Sequence, residues 1–201
     1  MILPEAITTD YDPRMWADRQ LQDDITRYIT TQAGALRPDV FAVILDRTHP
    51  DRVPTILWHA SKRHSITAAV VAQHIGKAFA HCSRPAELLT QQRWLTLFKR
   101  AGFTVDGRPT KRPQEPTRLY RAAEPQHARR MSWTPSLDTA HGYAEGQGHS
   151  QDGAGRIFTT VAQPHQVLCI NDENLANPLE VEWIVDPRRL DIVEYDTAAA
   201  A

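Results

Sequence analysis

A proline-rich, polar stretch near the middle of the chain divides the sequence into two halves of different character. It begins after Asp106-Gly107 and runs through Pro109 and Pro113 to Pro116. Proline and glycine interrupt regular structure, so this stretch predicts a boundary or a long crossing loop. Helical patterning precedes it and short apolar runs follow it, which indicates the α+β class.

The half before this stretch carries apolar residues at helical spacing. The predicted helices are one between Asp12-Pro13 and Gly34, one from Ser65 to Cys82, and one from about Ala86 to Ala101 with Trp94, Leu95, Leu97 and Phe98 as its buried stripe. Two short apolar runs, Val40–Leu45 and Thr55–Trp58, fit helix or strand by periodicity, and we favour helix for both. These segments predict a helical N-terminal lobe over roughly residues 14–106.

The half after the connector contains short strand-like runs. They are Arg118–Arg121, Ile157–Val161, Val167–Ile170 and Val181–Val185, with a short predicted helix at Leu137–Ala144. We expect a small, mostly antiparallel sheet formed after residue 117, within a β-rich core over residues 117–196. The lobe and this core are predicted to pack as a single domain over residues 1–201.

Composition narrows the classes of partner. The chain has 201 residues, 41% of them apolar, and its 23 Lys and Arg nearly balance its 24 Asp and Glu. The balance predicts that any binding to nucleic acid or anionic lipid is local. There is no basic-then-apolar leader pattern and no run of roughly 18 apolar residues, so we expect a cytoplasmic protein with no membrane partner. Cys82 and Cys169 are far apart and predict two buried thiols and no metal site.

Three separated elements in the second half carry candidate chemistry. They are Tyr120-Arg121 on the first strand, Ser132-Trp133-Thr134 after a pair of arginines, and Glu180-Val181-Glu182 at the last strong strand. Residues two apart on a strand project to the same face, so Glu180 and Glu182 are predicted to present two carboxylates to one cleft. A Glu-x-Glu pair alone is typical of a solvent-facing strand edge. The combination of the three elements in one chain instead indicates a functional site.

In this combination and order the chain resembles the ADP-ribosyltransferase superfamily, in its arginine, serine, glutamate class. The resemblance extends over about residues 118–187, where the Glu-x-Glu element leads into Trp183-Ile184-Val185-Asp186-Pro187. The chain is also similar to small uncharacterised actinobacterial and phage proteins through Trp94–Phe98, Ala101–Phe103 and Leu119–Arg121. The resemblance implies NAD as donor substrate and a cleft for NAD formed by the sheet.

The resemblance also implies a role for each site residue. Glu182 is the expected catalytic carboxylate, because a fixed carboxylate stabilises the oxocarbenium-like state of the ribose. Glu180 is expected to orient the incoming nucleophile, which in this class goes with an arginine acceptor. The expected NAD-binding residues are Arg121 for a phosphate or ribose, Ser132 and Thr134 for ordering the pocket, and Trp133 or Tyr143 for stacking on nicotinamide. The alternatives are a strand-end salt bridge for Arg121 and plain core packing for the aromatic residues.

Loops and basic clusters give weaker signals. Asn171–Pro178 is predicted to read the target, and the glycine-rich Gly146–Gly155 to close over NAD, although both also suit ordinary exposed loops. Lys62-Arg63-His64 and Lys111-Arg112 are typical of solvated turns, and the first could touch a nucleic acid or an acidic target.

The predicted function is therefore transfer of one ADP-ribose from NAD to a macromolecule, in the first place a protein arginine, by a toxin, effector or phage-type modifier. A protein inhibitor is a further expected kind of partner. The alternatives are an NAD glycohydrolase, a nucleic-acid ADP-ribosyltransferase and a binding module of the same fold without catalysis.

Overall fold

In the computed structural model the chain is described over residues 18–31, 34–146, 155–172 and 181–196. It divides into two compact units, residues 1–101 and 102–201. The first unit is helical over its described part and the second contains all described strands. The chain is thus of mixed α and β structure. Within the described ranges, no helix combines the length and the apolar character that crossing a bilayer requires.

The described part of the first unit is built from helices joined by short turns. They are α1 (Arg19–Thr31), α2 (Pro38–Asp46), α3 (Val53–Lys62), α4 (Ala68–His81), α5 (Pro85–Leu88) and α6 (Gln91–Ala101), with a 3-10 turn at Pro50–Arg52 before α3. The helical interpretation of the runs at residues 40–45 and 55–58 is confirmed. Gly34, which was predicted to end the first helix, has a φ of 108°, a left-handed value that glycine adopts without strain.

Helix α4 begins later than its apolar pattern indicates. The Oγ1 of Thr67 accepts a hydrogen bond from the backbone N–H of Val70 at 3.3 Å, which makes Thr67 the N-cap. The predicted start at Ser65 therefore lies outside the helix. The apolar face of α4, including Val71, Ile75 and Phe79, is buried.

The predicted helix over residues 86–101 is wrong as a single element, because the chain breaks it in two. Leu89 is extended, with φ −134° and ψ 142°, and ends α5. Thr90 then starts α6 by accepting a hydrogen bond from the N–H of Arg93 at 3.4 Å on its side-chain oxygen. The predicted buried stripe of α6 is confirmed, and the ring of Trp94 lies 5.0 Å from that of Phe79.

The second unit contains two small sheets in its described residues. The strands are β1 (Thr104–Val105), β2 (Arg108–Pro109), β3 (Thr117–Ala123), β4 (Ser132–Trp133), β5 (Arg156–Ala162), β6 (Val167–Asn171), β7 (Glu182–Val185) and β8 (Val193–Glu194), and helix α7 spans Leu137–Ala144. One sheet has the order β2-β1-β6-β7-β4 and the other β3-β5-β8. Only β1 and β6 pair in parallel among these strands. The mostly antiparallel arrangement and the bounds of α7 are as predicted.

The sheet begins before residue 117, contrary to the prediction, because β1 and β2 form a hairpin. Their connection is Asp106-Gly107, with φ of 49° and 75°. Positive φ at both central residues is the signature of the tight turn whose twist suits a two-residue hairpin. The connector thus includes a strand, β2, at Arg108–Pro109.

The two sheets of this unit meet between β3 and β4. Tyr120 and Thr134 exchange backbone hydrogen bonds of 2.7 and 2.9 Å. A buried cluster that includes Leu119, Trp133 and Val185 lies behind this junction. As a result β3, β4 and β7 follow one another in space, although they are far apart in sequence.

Candidate active site

Strand register brings three polar side chains onto one face of the five-stranded sheet. Glu182 is the first residue of β7 and lies directly opposite Asn171 of β6. On its other side β7 pairs with β4, where Ser132 lies opposite Ile184. Directly paired residues share a face, as do residues two apart on one strand. Ser132, Asn171 and Glu182 are therefore neighbours on the same face.

Both carboxylate oxygens of Glu182 accept a hydrogen bond. The hydroxyl of Ser132 donates to Oε1 at 2.6 Å, and the amide nitrogen of Asn171 donates to Oε2 at 2.9 Å. The residue itself is only partly buried. Hydrogen bonds to an ionised group are shorter and stronger than neutral ones, so this pair of donors favours the charged, fixed carboxylate.

Arg121 of β3 joins this group through the backbone of β4. Its side chain is buried, at 9% exposed. Nη1 donates to the carbonyl oxygen of Ser132 at 2.6 Å, and Nε donates to that of His127 at 3.2 Å. The guanidinium thus stabilises the position of the β4 backbone at Ser132. Ser132 and Glu182, predicted from distant segments, are in direct side-chain contact, and Arg121 contacts the backbone carbonyl of Ser132.

Trp133 lies apart from this group, on the opposite face of β4. It is 2% exposed, its indole N–H donates to the carbonyl of Arg130 at 2.9 Å, and it belongs to the buried cluster behind the sheet. Trp183 packs against the same cluster. Trp183 is paired with Trp133 and therefore lies on the face of β7 opposite to that of Glu182. Trp133 thus has the geometry of core packing, which was one of the two roles predicted for it.

Thr134 and Tyr143 belong to the segment that builds helix α7. The Thr134 hydroxyl accepts from the N–H of Ser136 at 3.2 Å, and the Ser136 hydroxyl caps the helix by accepting from Thr139 N–H at 3.1 Å. Tyr143 lies half-buried in α7, which packs against β3. These residues set the helix beside the strand that carries Arg121.

Several predicted features lie outside the described residues. They are Glu180, positions 173–178 of the predicted target-reading loop and positions 147–154 of the glycine-rich loop. Asn171, in contrast, is described and corrects the prediction. It is the last residue of β6 and fully buried, so it is not part of an exposed loop.

Asn171 is the site residue that the sequence interpretation missed. Two buried residues are linked to Asn171 by polar contacts. Thr104 Oγ1 donates to Cys169 Sγ at 3.3 Å, and Cys169 Sγ lies 3.6 Å from Asn171 Oδ1. Burial, with smaller contributions from Glu182 and Asp106, raises the pKa of the Cys169 thiol to about 12. The thiol is therefore neutral near pH 7. Alternation along β6, which places Cys169 and Asn171 on one face, was the available signal.

A separate cavity lies at the other end of β7. Its volume is about 350 Å³, and it is lined by His165, Gln166, Asp186, Arg188 and Arg189. Asp186 is four residues beyond Glu182, roughly 13 Å along a strand. We therefore treat the cavity as distinct from the Glu182 site. Across the described ranges, no three His, Cys, Asp or Glu side chains are grouped so as to hold a metal ion.

Comparison of the chain with protein-family models, with curated proteins and with solved structures finds no match in any of the three.

Proposed function

We propose that the chain is an NAD-dependent mono-ADP-ribosyltransferase with Glu182 as its catalytic carboxylate. The observation that carries the proposal is the 2.6 Å hydrogen bond from the Ser132 hydroxyl to the Glu182 carboxylate, with Arg121 of β3 bound to the Ser132 carbonyl. Each residue type alone is common. Their convergence from separate segments supports the resemblance beyond the order of the motifs.

The chemistry of the donor suits this arrangement. When the glycosidic bond to nicotinamide breaks, the neutral base takes the bonding electron pair and the ribose C1′ develops positive charge. A fixed, ionised carboxylate stabilises that charge without reorganisation at the moment of reaction. Glu182 is partly exposed and has a donor on each oxygen, so it combines access with orientation.

The other residues act around this carboxylate. Arg121 holds the carbonyl of Ser132, and its planar guanidinium is suited to a phosphate or ribose of NAD as well. The acceptor then attacks C1′ and passes its proton to Glu180, to which we also assign orientation of the acceptor. The place of Glu180 two residues before Glu182 favours a protein arginine as first candidate acceptor.

The proposal is tested with NAD labelled in its adenylate part, incubated with a cell extract and the full chain. We expect Glu182→Gln to reduce labelling of macromolecules by about 10²-fold or more, as loss of a key electrostatic contact does. Glu194→Gln is the matched control, since Glu194 is an exposed strand glutamate paired with Arg156 at 2.9 Å. Equal labelling of macromolecules by wild type and Glu182→Gln would contradict the proposal.

The same assay separates the alternatives. Release of free ADP-ribose with no labelled macromolecule indicates an NAD glycohydrolase. A folded sample that binds no NAD in calorimetry indicates a non-catalytic module. Loss of transfer with NAD hydrolysis retained in Glu180→Gln supports the division of labour between the two glutamates.

A nucleic-acid acceptor is the second candidate, favoured by the charge of the helical unit. Residues 53–101 contain one acidic residue, Glu87, which pairs with Arg84 at 3.0 Å. The same stretch contains seven basic residues, namely Lys62, Arg63, Lys77, Arg84, Arg93, Lys99 and Arg100. Such an excess in one stretch attracts phosphates locally although the whole chain is nearly neutral.

Part of this charge forms a surface that we call the cationic face, made of Trp58, His59, Lys62, Arg63 and Arg93. The guanidinium of Arg93 lies 5.4 Å from the ring of Trp58. Burial first, and then the positive charges of Arg93, Lys62 and Arg63, lower the pKa of His59. Cations beside an aromatic ring are the usual means of holding single-stranded nucleic acid. Digestion of the labelled product with nuclease or protease distinguishes the two acceptors.

A further inference from the structure

We propose that Asn171 is a positioning residue that holds the Glu182 carboxylate in one orientation, and that the Cys169 thiol fixes the Asn171 amide for this task. The catalytic consequence rests on the function proposed above. The positioning itself is a property of the folded chain and is measured without NAD.

The position of Asn171 leaves its amide few choices. It is 0% exposed, lies opposite Glu182 across β6 and β7, and places Nδ2 2.9 Å from Oε2. A buried amide that loses its hydrogen-bond partners destabilises the folded chain. The amide is therefore held strongly where its contacts are made.

Two groups determine the orientation of the Asn171 amide: the negative charge of the Glu182 carboxylate and the thiol of Cys169. If the amide were flipped, Oδ1 would face the carboxylate and two acceptors would meet. In the observed orientation Oδ1 lies 3.6 Å from Cys169 Sγ, where a neutral S–H is a donor. Thr104 in turn donates to Cys169 Sγ at 3.3 Å. The bonds run in one direction, from Thr104 through Cys169 and Asn171 to Glu182, and each polarises the next.

Ser132 completes the restraint from the other strand. Because its hydroxyl binds Oε1 while Asn171 binds Oε2, rotation of the carboxylate breaks both bonds. Donors to the charged form also stabilise the ion against protonation.

The first test is a ¹³C NMR titration of the glutamate carboxyl carbons in the full chain, with Glu182→Gln identifying the Glu182 signal. We expect the Glu182 midpoint to move to higher pH in Asn171→Ala, because the charged form loses a donor, and further in Asn171→Asp, where two carboxylates meet. Thr160→Val is the matched control. Thr160 is also a buried strand residue, and its hydroxyl donates to Asp191 O at 2.6 Å, away from this site.

A second pair of variants keeps the test decisive if Asn171→Ala does not fold. Cys169→Ala removes the thiol donor, whereas Cys169→Ser retains a hydroxyl donor at the same position. We expect the Glu182 midpoint to rise in Cys169→Ala and to return towards the wild-type value in Cys169→Ser. A wild-type midpoint in both Cys169→Ala and Asn171→Asp overturns the proposal.

The second test is kinetic. We expect Asn171→Ala to lower kcat for NAD cleavage by up to about 10²-fold, since small displacements of a reacting group have effects of that size. KM for NAD should change little, because Asn171 acts through Glu182. The acid limb of the rate–pH profile should move to higher pH, which a general loss of stability would not produce.

The two proposals fail separately. A wild-type chain that does not turn over NAD refutes the proposed function, and the NMR titration still decides the positioning. A wild-type chain that is active, with Asn171→Ala equal to it in kcat and pH profile, refutes the positioning alone.

Discussion

At the scale of residues, the carboxylate of Glu182 combines two properties that usually oppose each other. Partial exposure gives it access to a substrate, while Ser132 and Asn171 fix both of its oxygens. Hydrogen bonds to a charged group contribute about 1.5–3 kcal/mol each. Restraint of this size is enough to hold one rotamer against the entropy of a free glutamate side chain, which is about 2 kcal/mol at most.

His74 makes the stability of the helical unit depend on pH. It is partly buried in α4 near the ring of Phe41, and its Nε2 is buried with no hydrogen-bond partner among the residues that the structure describes. Burial lowers the pKa of His74, Asp46 opposes this shift, and Lys77 adds to it. The unfolded chain therefore binds the proton more readily than the folded one. The contribution of neutral His74 to the free energy of unfolding is therefore fully present above the ordinary histidine pKa of about 6.5, and it is lost as the pH falls below that value.

We expect the urea concentration at the unfolding midpoint of the helical unit to decrease as the pH is lowered from about 7 to about 5. His74→Leu should make that decrease smaller. Urea titrations across this range, followed by the fluorescence of the buried Trp94, measure the effect. His165→Leu, an exposed histidine of the other unit, is the control and should leave the slope unchanged. An equally steep fall in His74→Leu would show that other groups cause it.

The candidate site could be predicted from the sequence only in part, for a physical reason. Arg121, Ser132 and Glu182 follow recognisable local patterns, and the register of β4 and β7 places Ser132 beside Glu182. The register of β6 against β7 depends on non-local pairing with a bulge between Val167 and Cys169, and periodicity carries no information about that. The polar, Asn-rich composition of residues 171–178 led to a loop prediction for Asn171, and its pairing with Glu182 could not be predicted from the sequence.

At the scale of elements, the β1–β2 hairpin depends on the backbone conformation of Gly107. Its φ of 75° is in the left-handed region, where an L-residue with a Cβ costs about 1–2 kcal/mol. We expect Gly107→Ala to destabilise the strand unit by about that amount. Chemical denaturation followed by circular dichroism measures it. Arg108→Ala, an exposed change in the adjoining strand, is the control, and equal stability of both variants would contradict the role of the turn.

Elements with several turns or long pairings follow from the sequence, whereas the shortest ones do not. Helix α7 and strands β3, β5 and β6 lie within a residue or two of their predicted bounds. Strands β1, β2 and β8 have two residues each, too few for an alternation to show. The break between α5 and α6 depends on Thr90 as a cap inside an otherwise continuous helical pattern.

At the scale of the whole molecule, the near-neutral total charge conceals a difference between the two units. Residues 1–101 contain 13 Lys and Arg against 10 Asp and Glu, and residues 102–201 contain 10 against 14. The helical unit is therefore positive and the strand unit, which carries Glu182, is negative. Since electrostatic attraction acts before contact, an anionic partner meets the helical unit first.

This asymmetry predicts salt-dependent binding of single-stranded nucleic acid to the cationic face. Fluorescence anisotropy with a labelled oligonucleotide, measured from about 50 to 200 mM salt, should show affinity falling steeply as bound counterions are released. The double variant Lys62→Glu/Arg93→Glu removes two cations beside Trp58, so we expect weaker binding and a slope shallower by about one to two.

The control for this experiment is Arg108→Glu/Arg118→Glu, which makes the same change in net charge on exposed residues of the strand unit. Because attraction is local and screened beyond about 10 Å at 0.1 M salt, the control should retain most of the affinity. Equal loss in the two double variants would mean that total charge, and not the cationic face, governs binding. Wild-type affinity in Lys62→Glu/Arg93→Glu would remove the support for a nucleic-acid acceptor and leave the protein acceptor as the candidate.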